Sequence, residues 1–225
     1  MKPKHANPQF AREEIQSLDG EWTFEILNDP LLHGVPDRPL NGTIQVPFCP
    51  ESRLSGVGYT DFIRHCAYRR AFRLEAGRLT GRVLLRFGAC DYQATVYVNG
   101  VGVGEHRGGY GAFVFEITDK VKYDADNRIL VKVNNALQQD VMPLVGDFNF
   151  YGGIYRDVNL IITDPVNISL TDYASPGVYL IQNKVTKEQA EVKAKVLVSN
   201  GSAKVQPVKV DIKIWEDDKL VQQQD

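Results

Sequence analysis

Leu85-Arg-Phe87-Gly-Ala-Cys-Asp91-Tyr-Gln-Ala94-Thr-Val96-Tyr-Val98-Asn99-Gly100-Val-Gly-Val-Gly104-Glu-His106-Arg-Gly108-Gly109-Tyr110-Gly-Ala-Phe113-Val-Phe115-Glu-Ile117-Thr118 is the stretch on which the fold turns. Apolar side chains recur at every second position, Val83, Leu85 and Phe87 in one run and Ala94, Val96 and Val98 in the next. An extended backbone sends alternate side chains to opposite faces, so each run reads as a half-buried strand of an antiparallel sheet. Asn99-Gly100 ends the second run, and both residues tolerate the positive φ of a type I′ hairpin turn. Upstream, Trp22, Phe24 and Ile26 alternate with Glu21, Thr23 and Glu25, which makes Trp22 a core residue. Downstream, Ile129, Val131 and Val133 repeat the pattern. No segment sustains a 3.6-residue apolar stripe, and the expected fold class is all-β.

After the apolar run 158–162, the turn Thr163-Asp164-Pro165 closes this series and a second one begins. It comprises 178–181, then Val192, Ala194, Val196 and Val198, then Val208, Val210, Ile212 and Ile214. The chain is thereby expected to divide into residues 1–164 and 165–225. An immunoglobulin-type sandwich takes about 100 residues and seven strands. Four or five strands fit the second unit, so it reads as a partial sandwich with an exposed sheet edge. Such an edge is a template for pairing with another chain, which leaves a homo-oligomer open.

Composition narrows the function. In 225 residues, 26 basic and 28 acidic side chains give a net charge of −2. With no Lys/Arg run to neutralise a row of phosphates, no nucleic-acid partner is expected. The longest apolar runs, 112–115 and 178–181, are four residues long. A bilayer-spanning helix needs ~20, so no membrane association is expected and the chain reads as soluble. Three cysteines (Cys49, Cys66, Cys90) without a C-x-x-C pair read as packing residues rather than a zinc site. The four histidines are dispersed, and Gly100, Gly102 and Gly104 lack the spacing of a dinucleotide loop. There is no phosphate-binding loop, no H-E-x-x-H and no G-x-S-x-G. No metal or cofactor is expected. Residues 1–5 carry charge with no apolar run after them, so no leader is read there, and the compartment, cytoplasmic or periplasmic, stays open.

The quoted stretch has companions in order. Leu18-Asp-Gly20-Glu-Trp22-Thr-Phe24, Val46-Pro47 and Tyr68-Arg69-Arg70-Ala-Phe72 precede it. Asn127-Arg-Ile129-Leu-Val131-Lys-Val133 and Gly152-Gly153-Ile154-Tyr155-Arg156-Asp157-Val158 follow it. Together they resemble the N-terminal sugar-binding domain of glycoside hydrolase family 2, the β-galactosidase and β-glucuronidase family. The resemblance covers residues 7–162, and 165–199 is similar to the start of the family's second domain. It implies a jelly-roll β-sandwich of the galactose-binding-domain type followed by a partial immunoglobulin-like β-sandwich.

In that family a (β/α)₈ barrel follows and bears both catalytic glutamates. Retaining hydrolysis needs two carboxyls ~5–5.5 Å apart, and no segment here resembles the motifs that supply them, so no catalytic residue is assigned. The resemblance implies a non-catalytic role: supporting the barrel of the same polypeptide and helping to bind the terminal sugar of a β-glycoside. A β-galactosidase is the leading parent, with a β-glucuronidase or an independent carbohydrate-binding module as alternatives. Two substrate-binding residues follow from it. Asp147, six residues before Gly153, matches an acidic position that the family lends to the sugar pocket. Asp61, in Gly58-Tyr-Thr-Asp61-Phe62, matches a loop that reaches the same ring in some members. An ionised carboxylate only accepts hydrogen bonds, which suits a sugar's hydroxyl donors. Tyr59 and Phe62 would stack on a sugar face or cover the sheet edge. Arg107-Gly108-Gly109-Tyr110 and the charged pair Arg156-Asp157 read as structural, pinning loops.

Overall fold

The structure, a computed structural model, describes residues 12, 14–27, 38–75, 81–140 and 151–224. Eighteen strands are found among them. Ten precede segment 141–150: β1 (Ile15–Ser17), β2 (Gly20–Ile26), β3 (Gly42–Val46), β4 (His65–Arg73), β5 (Arg82–Phe87), β6 (Cys90–Asp91), β7 (Gln93–Val98), β8 (Val101–Arg107), β9 (Phe113–Glu116) and β10 (Asp126–Asn134). Eight follow: β11 (Gly153–Ile154), β12 (Val158–Thr163), β13 (Val166–Ile168), β14 (Val178–Val185), β15 (Ala190–Val196), β16 (Val198–Asn200), β17 (Ile212–Glu216) and β18 (Lys219–Gln224). The only helical turn described is a 3₁₀ turn over Arg53–Ser55. No helix among the described residues is long and apolar enough to cross a membrane.

Two antiparallel sheets form a jelly-roll sandwich, one in the order β1-β12-β5-β9 and the other β3-β2-β4-β10-β7-β8. Their inner faces hold the alternating residues read from the sequence. Val83, Leu85, Phe87, Val158 and Leu160 meet Trp22, Phe24, Ala94, Val96, Val98, Ile129, Val131 and Val133 in one core. Every second side chain of each strand is thereby removed from water, which is the main gain in free energy on folding. Trp22 is 1% exposed; its indole N–H donates to the Leu18 carbonyl at 2.8 Å, and its ring meets Tyr68 edge-on at 6.5 Å. The Asn99-Gly100 turn has the expected positive φ at both residues, +52° and +83°, and joins β7 to β8.

Both sheets are also covered outside. Leu84 and Ile161, out of phase with the inner core, pack under Leu170, Ile15 and Val114. Ala67 and Leu130 pack under Leu27 and Leu40. This second burial explains why 83–85 and 160–162 are continuous apolar runs rather than alternations.

Beyond Thr163 the strands pair only among themselves: β13 with β16, β14 with β15, β17 with β18. This is the partial immunoglobulin-like sandwich. Two differences from the sequence reading stand out. Val208 and Val210 precede the strand, which starts at Ile212, because among the described residues they have no neighbour with which to form ladder hydrogen bonds. The alternating apolar residues of these hairpins are also largely solvent-facing, with Leu180 71% and Trp215 56% exposed; no second layer of described residues closes over them.

Candidate functional site

The connections at one end of the jelly roll converge. After Val46-Pro47, a cis peptide, residues 47–64 form a loop tied internally by the Tyr59 N–H to the Pro50 carbonyl at 3.1 Å. The 3₁₀ turn inside it is capped by Ser52, whose hydroxyl accepts the Leu54 N–H, a local bond that Ser supplies well. The loop's far end joins β10: Asn135 donates from its main chain to the Arg64 carbonyl at 2.7 Å and from its side chain to the Ile63 carbonyl at 3.4 Å. Its near end reaches the residues after segment 141–150, because Glu51 Oε1 accepts the Gly152 N–H at 3.0 Å. Loop 47–64 therefore touches both ends of the 135–152 connection.

A second layer lies beside this. β6 pairs with β11, opposing Asp91 to Gly153 and Cys90 to Ile154. Tyr155 donates its hydroxyl to the Gly109 carbonyl. Gly109 packs so tightly on Asp91 that a Cβ there would sit 2.8 Å from Asp91 Oδ1. Gly153 is held at φ +82°, where a Cβ would meet the Tyr68 hydroxyl at 2.0 Å. Only glycine satisfies both that dihedral and that contact.

Burial pushes the Asp91 carboxyl up to about 6, and the nearby Glu51 charge adds to the rise. The Cys49 thiol is raised by burial and by Glu51, and burial takes Cys66 to about 12. These thiols stay protonated at neutral pH and are unreactive; all three cysteines are free, two of them buried. Among the described residues no three His, Cys, Asp or Glu gather in a way that could hold a metal ion.

Asp61 lies in loop 47–64, exposed, with no hydrogen bond or ion pair to any described residue. Tyr59 and Phe62 flank it half-exposed, with Phe48 on the same loop. Asp147 lies outside the described residues. The segments carrying the two aspartates nevertheless share a base, through Asn135 on one side and Gly152 on the other. Of the charged motifs, Arg156 and Asp157 do not pair with each other. Asp157 binds the buried Arg86 at 3.1 Å and accepts the Asn159 amide at 2.6 Å, while Arg156 lies 5.5 Å over the Tyr155 ring. The pairing is set across β5 and β12 rather than along the chain. Arg107 reaches Gln138 at 2.8 Å and Asp140 at 3.4 Å. Glu51 was not legible as a site residue: it sits in an unpatterned loop, 101 positions from its partner Gly152.

Comparison with known proteins fits this architecture. Residues 60–165 match the family described as "Glycosyl hydrolases family 2, sugar binding domain". A β-glucuronidase of Bacteroides fragilis is 53% identical over 187 residues, 83% of this chain and 26% of that protein. A β-galactosidase of Thermoanaerobacter pseudethanolicus is 36% identical over 129 residues, 56% of this chain and 16% of that one. The crystal structure of Bacteroides uniformis β-glucuronidase superposes with a TM-score of 0.78 at 31% identity, over 93% of this chain and 25% of that one. The chain thus spans about a quarter of the length of the two Bacteroides relatives. Sandwich, ordered motifs and relatives agree, and the chain belongs to glycosyl hydrolase family 2, whose sugar-binding domain it carries at residues 60–165.

Proposed function

We propose that this chain is the non-catalytic N-terminal part, residues 1–164 and 165–225, of a retaining family 2 glycosidase. The loop end of its jelly roll supports a catalytic barrel of the same polypeptide and offers Asp147 and Asp61 to the terminal sugar. The observation that carries this reading is the shared base of the two aspartate-bearing segments, at Asn135 and Gly152. A rigid sandwich that presents acceptors from loops contributes orientation, not bond chemistry. The two carboxyls that break the glycosidic bond belong, in this reading, to the barrel.

For the sugar, the 53% likeness to a β-glucuronidase favours a β-glucuronide. The 36% likeness to a β-galactosidase supports a β-galactoside as the second reading. Chromogenic glucuronide and galactoside assayed side by side on the full-length protein separate them, the faster kcat/KM naming the substrate. On that substrate, Asp147→Ala is expected to lower kcat/KM by about 10- to 150-fold, the loss of one charged hydrogen bond. Unchanged kcat/KM removes Asp147 from the sugar site. If the isolated chain binds the free sugar at millimolar concentration or better in calorimetry, the domain is an independent binding module instead.

A further inference from the structure

The side chains of Arg156 and Tyr110 make no hydrogen bond or ion pair with any described residue. Arg156 has carboxyls near it and binds neither: its chain neighbour Asp157 is committed to Arg86 and Asn159, and Asp91, which like Arg156 lies near Tyr155, forms no ion pair with it. What holds the guanidinium is a ring. It lies 5.5 Å over Tyr155, whose hydroxyl is donated to the Gly109 carbonyl. Its stem runs against Gly88, where a Cβ would come within 2.8 Å of Arg156 Cβ. A cation held over a ring uses its flat face. The N–H donors around the guanidinium's edge are thereby left free, in the planar fork that matches a carboxylate.

Tyr110 follows Gly109, lies close enough to Tyr155 to raise its phenol, and is 69% exposed. Gly109 and Gly111 on either side carry no side chain to shield it, and a Cβ at Gly111 would meet nothing within 4 Å. So exposed a ring gains by covering a flat apolar surface, such as the C–H face of a sugar. Burial lifts the Asp91 carboxyl to about 6, which thins the negative charge an incoming anion meets.

We propose that Arg156 and Tyr110 form a subsite for an acidic glycan, the guanidinium pairing with a sugar carboxylate and the Tyr110 ring stacking on the sugar face beside it. The subsite goes beyond the terminal-sugar reading and draws on none of its residues. Neither side chain breaks an internal bond to take the ligand, and the tie from Tyr155 to Gly109 fixes the platform beforehand, so little ordering cost is left for binding.

The test titrates the full-length protein calorimetrically with an α-linked oligogalacturonate, whose linkage lies outside the reaction of a β-glycosidase. A second titration uses the same oligomer with its carboxyls reduced to alcohols. The acidic oligomer is expected to bind at least ~10-fold more tightly than the reduced one, the effect of a charge-assisted hydrogen bond, and to weaken as salt is raised. Arg156→Gln keeps most of the stem against Gly88 and is expected to erase the difference between the two oligomers. Arg156→Lys keeps the charge without the fork and is expected to recover only part of it. Tyr110→Ala is expected to weaken both oligomers alike, by about 3- to 10-fold. A urea midpoint matching the parent's shows that a lost affinity is not lost folding, and should Arg156→Gln not fold, Arg156→Lys and Tyr110→Ala carry the test. Equal affinity for the two oligomers overturns the proposal, as does absence of binding at millimolar concentration. So does acidic-oligomer binding that persists undiminished in the variants.

Discussion

Tyr68 shows how much one side chain decides here. It is fully buried on β4, with Phe24 at 4.9 Å and Trp22 at 6.5 Å, and its hydroxyl accepts the Ile154 N–H. Burial drives the phenol well above its ordinary value, so it stays a neutral acceptor at physiological pH. Tyr68→Phe leaves a buried N–H without a partner and is expected to cost about 1–3 kcal/mol, read as a lower urea midpoint at unchanged m-value. Asp91 gives a pH signature. Its folded value of about 6 lies above the ~3.9 of an unfolded Asp. The native state therefore binds more protons between roughly pH 4 and 6, and the stability this residue contributes is present below pH 4 and lost as pH rises through 6. Asp91→Asn should remove that part of the slope, so that urea unfolding at pH 4.5 and 7.5 shows the variant gaining on the parent at the higher pH. A variant that tracks the parent at both pH values would contradict the burial argument.

At the scale of elements, the outer face of the β1-β12-β5-β9 sheet is closed by the segment that follows β13. Leu170, 1% exposed, covers Leu84 and Ile161. Nearby, Arg82 on β5 makes a two-pronged bond to Glu116 at 2.7 and 3.0 Å and another to Asn167 Oδ1 at 3.2 Å. The two contacts are unequal. Leu170→Ala opens an apolar cavity and is expected to cost about 2–5 kcal/mol. Arg82→Ala breaks a pair whose carboxylate is 41% exposed, and is expected to cost less than about 1 kcal/mol. Thermal unfolding of the two variants should separate them clearly, and a larger effect for Arg82 would mean that the junction is held by charge rather than by packing.

Across the whole molecule, apolar burial is concentrated in the sandwich, and β13–β18 keep much of their apolar surface in water. Amides of β14–β15 and β17–β18 are therefore expected to exchange well before those of β4, β10 and β7 at the centre of the larger sheet; equal protection would show that the hairpins are covered. Which side chains enter the core was legible beforehand at Trp22, Phe87, Val96 and Val131, because strand geometry ties alternate positions to opposite faces whatever the partners. The all-β class and the Asn99-Gly100 turn were legible for the same local reason, and the ordered motifs pointed to family 2. Leu84 and Ile161 needed the structure, since a second covering layer is invisible to a period-two pattern. So did the Asp157–Arg86 pair and Glu51 at Gly152. Hydrogen bonds and ion pairs act over about 3 Å, and which groups come that close depends on the order in which strands lie side by side, not their order along the chain. Sequence by itself determined which side chains of the sandwich strands face inward; only the tertiary structure decided what covers their outer faces and which distant loops meet at the end of the sandwich.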